Sequence, residues 1–589
     1  MAHLVPLLVV LPLAGGFLMP LVGRLTGRRE SVAALPILLT AGVLVMAVWL
    51  LLGAAEPMTY WVGGWDFPIG VSLVADGLSR LMVVIVATIS LVALLFSMDY
   101  MARFTSPGLY YSLFLLMLAG MNGVVLSGDL FNMFVFIEVA GIASYALVAF
   151  GTESDELEAS LKYLVLGTVA SAFLLVGIAL VYNVTGHLNW AKVAEGVAQA
   201  GGPTAPLYVA AAFFLMGFGL KAAMVPFHAW LPDAHPSAPA PISAMLSGVL
   251  IKASGVYALA RLVFSVFDGD PALGWVLVVL GTLSMVLGAL MAMGQGDFKR
   301  LLAYSSVSQV GYVVLALGAA AVMQARGVSA GVVGLMVVGG LFHLANHAIF
   351  KSLLFLCSGS VEYATGTRQL KDLGGIGGRM PVTGACVRIG ALAISGVPPL
   401  NGFWSKLFII VALVLGKLYV LAAITAIVSF LTLAYYAKVQ RYVLGGAPSE
   451  RVVRSREAPL GMCVATVVLA VLCVVSPLLV VPAVRSRVLD PASRVVTEGR
   501  AADTRGRIIT ADAETPAPAA ETVRQVSGEL RGGSPHPPRQ AESGARDRLA
   551  TVLNGRAPPD TAVGTETHRA GSAGASAQAT AVTRQGRTP

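Results

Sequence analysis

The chain has 589 residues, 56% of them hydrophobic and only 12% charged, with a formal net charge of +9. Soluble globular chains carry about 25% charged residues, so a water-soluble fold is excluded and a protein of the lipid bilayer is implied. Nucleic acid is not a partner: the basic residues are not interleaved with aromatics but lie between apolar runs or in the C-terminal stretch, where they read as topology signals and a solvated tail.

Taken in chain order, apolar runs long enough to cross a bilayer, about 20 residues each, fall near 3–23, 32–54, 72–98, 109–127, 129–150, 160–183, 207–230, 240–264, 273–293, 300–322, 331–357, 383–413, 418–443 and 460–484. The first run lacks the basic flank of a cleaved signal peptide and reads as a retained helix. The runs are continuous rather than alternating, which predicts helices and not a β-barrel. The fold class is therefore all-α, a polytopic membrane protein of about fourteen transmembrane helices. Residues 1–108 would hold the first three helices, 109–445 the core, and 446–485 the last helix.

Loop charge agrees with that count. The loops 24–31, 294–300, 360–381 and 438–456 hold most of the loop cations, and an even number of spans puts all four on one side. The other side has scattered singles such as Lys192, Arg326 and Lys417. The positive-inside rule then sets the chain in the inner (cytoplasmic) membrane with both termini on the extracytoplasmic side. From about 486 to 589 the composition turns to Ala, Gly, Pro, Thr, Ser and Arg, and a disordered tail is expected, either a partner-binding segment or a dispensable extension.

Charges recur where lipid should be. A charge at a helix centre costs roughly 2.5–3.5 kcal/mol on insertion scales. Glu138 interrupts "FNMFVFIEVAGIASYAL", Lys221 follows an uncharged stretch from 207 to 220, and Lys252 sits in "SGVLIKASGVYAL". His343, His347 and Lys351 are spaced four apart and share one helix face, and Lys406 follows "SGVPPLNGFWS". Lysines near helix ends can snorkel, which suits Lys162 and Lys417. A lone intramembrane histidine is most often an interhelical hydrogen bond, and His343 with His347 could hold zinc only with a third ligand that the neighbouring sequence lacks. Taken together, the set reads as the lining of a polar, hydrated path. Two of the helices are broken as well, by Pro226 and by Pro398 and Pro399. Proline breaks a helix, and irregular backbone at membrane depth is tolerated only where protein or water meets it. Interrupted helices at matching places in two halves point to a transport site, with Lys221 and Lys406 as counterparts.

The four cysteines, Cys357, Cys386, Cys463 and Cys473, have no pairing or metal-ligand spacing and read as small apolar residues. "GGIGG" at 374–378 follows no strand and reads as a loop. No nucleotide fingerprint, cluster ligand or flavin motif is present, so no cofactor or metal is expected, and redox chemistry would belong to an assembled complex.

"FNMFVFIEVAGIASYAL", "LKAAMVPFHAWLPDAHPSAPAPISAMLSGVLIKASGVYALAR", "HLANHAIFKSLLFLCSGS" and "SGVPPLNGFWSKL" closely resemble the antiporter-like, proton-conducting subunits of respiratory complex I, membrane-bound hydrogenases and Mrp-type cation/proton antiporters. The resemblance covers roughly residues 70–445. It implies two inverted five-helix repeats, helices 4–8 and 9–13, with helices 7 and 12 broken. It further implies that Glu138 and Lys221 form a switchable pair. Lys252, His343 and His347 would relay the proton to Lys406, the second switchable lysine. The leading expectation is a proton-translocating subunit of a redox complex of the NADH-quinone oxidoreductase or hydrogenase type, whose partners are other membrane subunits. The alternatives are a D-type component of an Mrp antiporter that also moves Na⁺, and a membrane scaffold without transport.

Overall fold

The computed structural model describes residues 2–26, 29–54, 56–65 and 69–498. Each apolar run forms a helix because nothing else satisfies backbone polar groups in lipid. The first three helices are α1 (Leu4–Thr26), α2 (Arg29–Gly53) and α3 (Gly77–Tyr100). Between α2 and α3 lies a short antiparallel ribbon that the sequence did not announce, β1 (Met58–Trp61) with β2 (Ser72–Ala75). Asp76 closes it and caps α3 with a reciprocal Asp–Ser79 pair of hydrogen bonds.

The first repeat comprises α4 (Pro107–Leu126), α5 (Leu130–Val148), α6 (Ser154–Thr185), the broken α7, in pieces α7a (Ala205–Lys221) and α7b (Leu231–Ser237), and α8 (Ala240–Val266). The second comprises α9 (Pro271–Gly294), α10 (Phe298–Ala325), α11 (Ala330–Thr365), the broken α12, in pieces α12a (Pro381–Ser395) and α12b (Asn401–Leu415), and α13 (Tyr419–Val443). α14 (Leu460–Val480) follows. Among the described residues twelve helices are long and apolar enough to cross a membrane. With the broken α7 and α12 the count reaches the fourteen expected, and the chain is an all-α polytopic membrane protein.

The two repeats carry the same loop lock at opposite faces. Before α5, Gly128-Asp129-Leu130 pairs with Leu188-Asn189-Trp190, the Leu130 and Trp190 amides donating to the Leu188 and Gly128 carbonyls at 2.9 and 3.0 Å. Before α10, Gly296-Asp297-Phe298 pairs in the same way with Arg368-Gln369-Leu370, at 3.0 and 2.8 Å. Asp129 and Asp297 each cap the helix they precede. Thr185-Gly186 and Thr365-Gly366 end α6 and α11 identically, each glycine at a left-handed φ of 70° or 68°. This local echo is the clearest internal evidence for the repeat.

α8 and α10 lie at the centre, buried along the whole of their most apolar stretch, whereas α2 is 28% buried over its own. α8 is irregular. It winds as π-helix over Leu246–Leu250, Lys252–Tyr257 and Leu262–Val266, a departure that often marks a functional helix.

One expectation is corrected. The ordered fold does not end at 486: α15 (Pro482–Thr497) is an amphipathic helix that buries Leu489, Ala492 and Val496 against α3 and α11. Apolar residues at helical spacing, hidden among arginines and prolines, supply a packing face that bulk composition did not reveal. The stretch from 499 onward, read as a disordered tail, lies outside the described residues.

Candidate functional site

The intramembrane charges gather along one line through the two repeats. At one end, Glu138 on α5 meets Lys221, the last residue of α7a, with Nζ 3.3 Å from Oε1. Lys221 also donates to the Tyr145 hydroxyl at 3.3 Å, and Ser171 on α6 donates to Glu138. The lysine is buried, while the Glu138 side chain is 27% exposed at the edge of the bundle. The break lies directly beyond Lys221, around Pro226, where the free Val225 amide donates to Ser284 on α9 at 2.9 Å. α8 touches the end of α7a without a side chain between them: a Cβ at Gly255 would fall 2.5 Å from the Ala222 nitrogen. Lys252, three residues away, thus follows Lys221 along the line.

In the middle, Lys252 and Lys351 are both fully buried with no acidic partner among the described residues. Lys252 donates to the Ser247 carbonyl at 2.5 Å, and the Ser247 and Ser306 hydroxyls meet at 2.7 Å. Ser306 and Lys351 both donate to the Leu302 carbonyl, at 2.9 and 2.7 Å. The two lysines are therefore joined through α10. His347 and His343 share the face of Lys351, as the spacing predicted, and all three are fully buried. His343 Nδ1 contacts the Ser405 hydroxyl at 3.0 Å, neither nitrogen of His347 has a hydrogen-bond partner among the described residues, and their rings are 6.5 Å apart.

At the far end, Lys406 is buried in α12b and donates back across the break at Pro398 and Pro399 to the Ile394 carbonyl, at 2.8 Å. This corrects the expected equivalence of Lys221 and Lys406. Lys221 closes the first half of its broken helix, whereas Lys406 stands in the second half and reaches toward the first.

Some polar residues on this line were not singled out in the sequence. His235 in α7b is fully buried, stacked on Phe355, with both ring nitrogens unpartnered among the described residues. Asn346, between His343 and His347, donates to the Asn401 carbonyl at 3.0 Å and accepts from Ser476 on α14. A wide cavity of about 840 Å³ opens at the face of the loops before α4, α6, α8, α10 and α12. Its walls include Asp233, which pairs with Lys162 and Arg300, and Lys299, which pairs with Glu362 and donates to the Ala238 carbonyl. Lys162 is thus a surface ion-pair residue. The four cysteines are buried and free, and among the described residues no His, Cys, Asp or Glu group could hold a metal.

Comparisons with known proteins give the family. The family described as NADH:quinone oxidoreductase/Mrp antiporter, transmembrane, matches residues 127–432, and a family named for the N-terminus of complex I chain 5 matches 61–111. The N-type component of the NADH-quinone oxidoreductase of Desulforudis audaxviator is 37% identical over 78% of this chain and 90% of its own length. The D-type component of the Na⁺/H⁺ antiporter of Alkalihalophilus pseudofirmus is 34% identical over 76% and 88%. Among solved structures, a chain of the archaeal membrane-bound sulfane sulfur reductase superposes with a TM-score of 0.75 at 32% identity, covering 85% of this chain and 99% of that one. A chain of the Mrp complex from a Dietzia species gives 0.75 at 27% identity, covering 84% and 97%. Fourteen helices in two inverted repeats, a line of buried lysines and this set of relatives lead to one conclusion: the chain belongs to the NADH:quinone oxidoreductase/Mrp antiporter family of transmembrane subunits.

Proposed function

We propose that the chain translocates protons along Glu138, Lys221, Lys252, Lys351, His347, His343 and Lys406, as one subunit of a larger redox-driven complex in the cytoplasmic membrane. The observation that carries this reading is the Glu138–Lys221 contact of 3.3 Å leading into a series of buried amines. A carboxylate at that distance stabilises an ammonium, and withdrawing it leaves a charge in a medium that opposes charge. Movement of Glu138 therefore loads or unloads Lys221, and the proton passes to the amines beyond it. The driving force comes from partner subunits, which the exposed edge of Glu138 is placed to sense. The relative named for a quinone oxidoreductase and the chain from an archaeal respiratory complex support redox drive.

A second reading, a D-type antiporter component that also exchanges Na⁺, is favoured by the similarity to the Na⁺/H⁺ antiporter protein of Alkalihalophilus pseudofirmus. Purifying the chain with its neighbours separates the two. Iron–sulfur or [NiFe] subunits in the preparation support redox drive, and a set of membrane subunits alone supports the antiporter. The relay itself is tested by proton uptake into vesicles holding the complex. Normal uptake with both Glu138→Gln and Lys221→Ala would remove its basis.

A further inference from the structure

Between Lys351 and Lys406 the relay has a choice of routes. The histidine face of α11 is discontinuous: 6.5 Å separates the two rings, and His347 bonds to neither neighbour. A second set of groups runs beside it on α10 and α13. Ser305, Gln309 and Tyr312 are spaced four and three apart and share one face of α10. Thr425, Ser429, Thr432 and Tyr436 share one face of α13 in the same way, with Tyr435 beside it.

These two faces meet. Lys351 Nζ lies 3.4 Å from the Tyr436 hydroxyl. The Ser305 hydroxyl is 3.1 Å from that of Tyr436 and 2.9 Å from that of Tyr435. Thr432 stands between Tyr435 and Tyr312, near the hydroxyl of each, and donates its own hydroxyl to the Val428 carbonyl at 2.9 Å. Ser429 is the next polar group near the Tyr312 hydroxyl. Lys406 Nζ sits 5.2 Å over the Tyr312 ring, and its Cδ and the Ser429 hydroxyl both lie within 3.7 Å of the space left open by Gly396. Apart from Ser429, which is partly buried, every hydroxyl in the series is buried.

We propose that Tyr436, Ser305, Tyr435, Thr432, Tyr312 and Ser429 form a hydroxyl lane that carries the proton from Lys351 to Lys406, parallel to the histidines. The lane rests on the relay reading above and specifies its middle section. A hydroxyl is both donor and acceptor. Each accepts a proton on a lone pair from the group before it and releases its own to the group after it. The Lys351 ammonium becomes an amine, the Lys406 amine becomes an ammonium, and no electron moves. The hydroxyls are left reversed and must turn back before the next passage. Tyr312, whose hydroxyl also donates to the Thr425 carbonyl at 3.2 Å, is the group whose rotation opens or closes the lane.

The alternative role for the same hydroxyls is to hold α10 to α13. The two roles differ in what they change: glue affects how much complex assembles, a conductor affects the rate per assembled complex. The experiment uses the full complex in liposomes, with a potassium diffusion potential as the driving force and a pH-sensitive dye as the readout, normalised to complex on native gels. Phenylalanine keeps the ring and removes only the hydroxyl, so Y435F with Y436F is expected to assemble and to lose about tenfold in rate, about 1.4 kcal/mol on the barrier. H343N with H347N removes the parallel route and is expected to lower the rate without abolishing it, and the four substitutions together to abolish it. A wild-type rate in the tyrosine pair overturns the lane, and so does complete loss in the histidine pair alone. E138Q, run alongside, keeps the outcomes apart. An active E138Q condemns the relay itself, whereas an inactive E138Q beside an active tyrosine pair condemns only the lane.

Discussion

At the scale of single residues, protonation and charge have to be separated. Glu138→Gln keeps the volume and the hydrogen bond from Ser171 but removes the charge facing Lys221. Assembly should survive and proton uptake should fall at least about tenfold. Lys406→Arg poses the complementary question. The amine is buried, bonded to the Ile394 carbonyl and overlain on Tyr312. Arginine keeps the charge but does not release its proton at physiological pH. If Lys406 only anchored α12b, arginine would serve. A residue that must load and unload is blocked by it, so Lys406→Arg should assemble yet pump poorly, and a wild-type rate in vesicles would assign the residue to anchoring. These positions were legible in the sequence because a charge within an apolar run is costly and therefore conspicuous. His235, Asn346 and Tyr436 were not. Hydroxyls, amides and single histidines are common in membrane helices, and only the crossing of α10, α11 and α13 turns them into neighbours.

At the scale of elements, proline located both breaks, and the apolar runs located all fourteen spans, although α6 begins six residues before its run and α7 and α11 end seven and eight residues beyond theirs. The order of proline and lysine also gives the side of each break on which its lysine stands, and there the equation of Lys221 with Lys406 fails. Pro226 follows Lys221 by five residues, but Pro399 precedes Lys406 by seven, and the two amines approach their breaks from opposite halves. α15 was missed for another reason, since its apolar face is diluted by Arg485, Arg487 and Arg494. Its burial makes a prediction that splits the C-terminal region in two. A chain ending after Glu498 should assemble and transport as the full chain does. A chain ending before Pro482 loses Leu489 and Val496, each worth about 1.5–3 kcal/mol of burial, and the contact of Pro491 with Gly77 at the start of α3. It should show less complex on native gels. Equal recovery of both truncations would make α15 dispensable.

At the scale of the whole molecule, orientation decides which compartment feeds the relay. Contacts among the loops bring three of the four basic loops onto one face: Arg368 pairs with Asp297, and Lys438 donates to the Met293 and Gln295 carbonyls. The large charged cavity opens on that same face and is lined by buried Lys299, so under the proposed relay it would be the mouth through which protons arrive. The opposite face bears the ribbon, the lock at Asp129 and Asn189, and the short helix Trp190–Gln199 with a Lys192–Glu195 pair. The positive-inside rule assigns the first face to the cytoplasm, although α15 adds arginines to the second. Labelling decides between these signals with little background, because all four native cysteines are buried. Gln199→Cys and Arg451→Cys place exposed thiols on opposite faces. In intact spheroplasts a membrane-impermeant maleimide should label the Gln199→Cys chain, and the Arg451→Cys chain only after permeabilisation. The reverse pattern would turn the charged cavity outward, and the relay would then load its protons from the extracytoplasmic side.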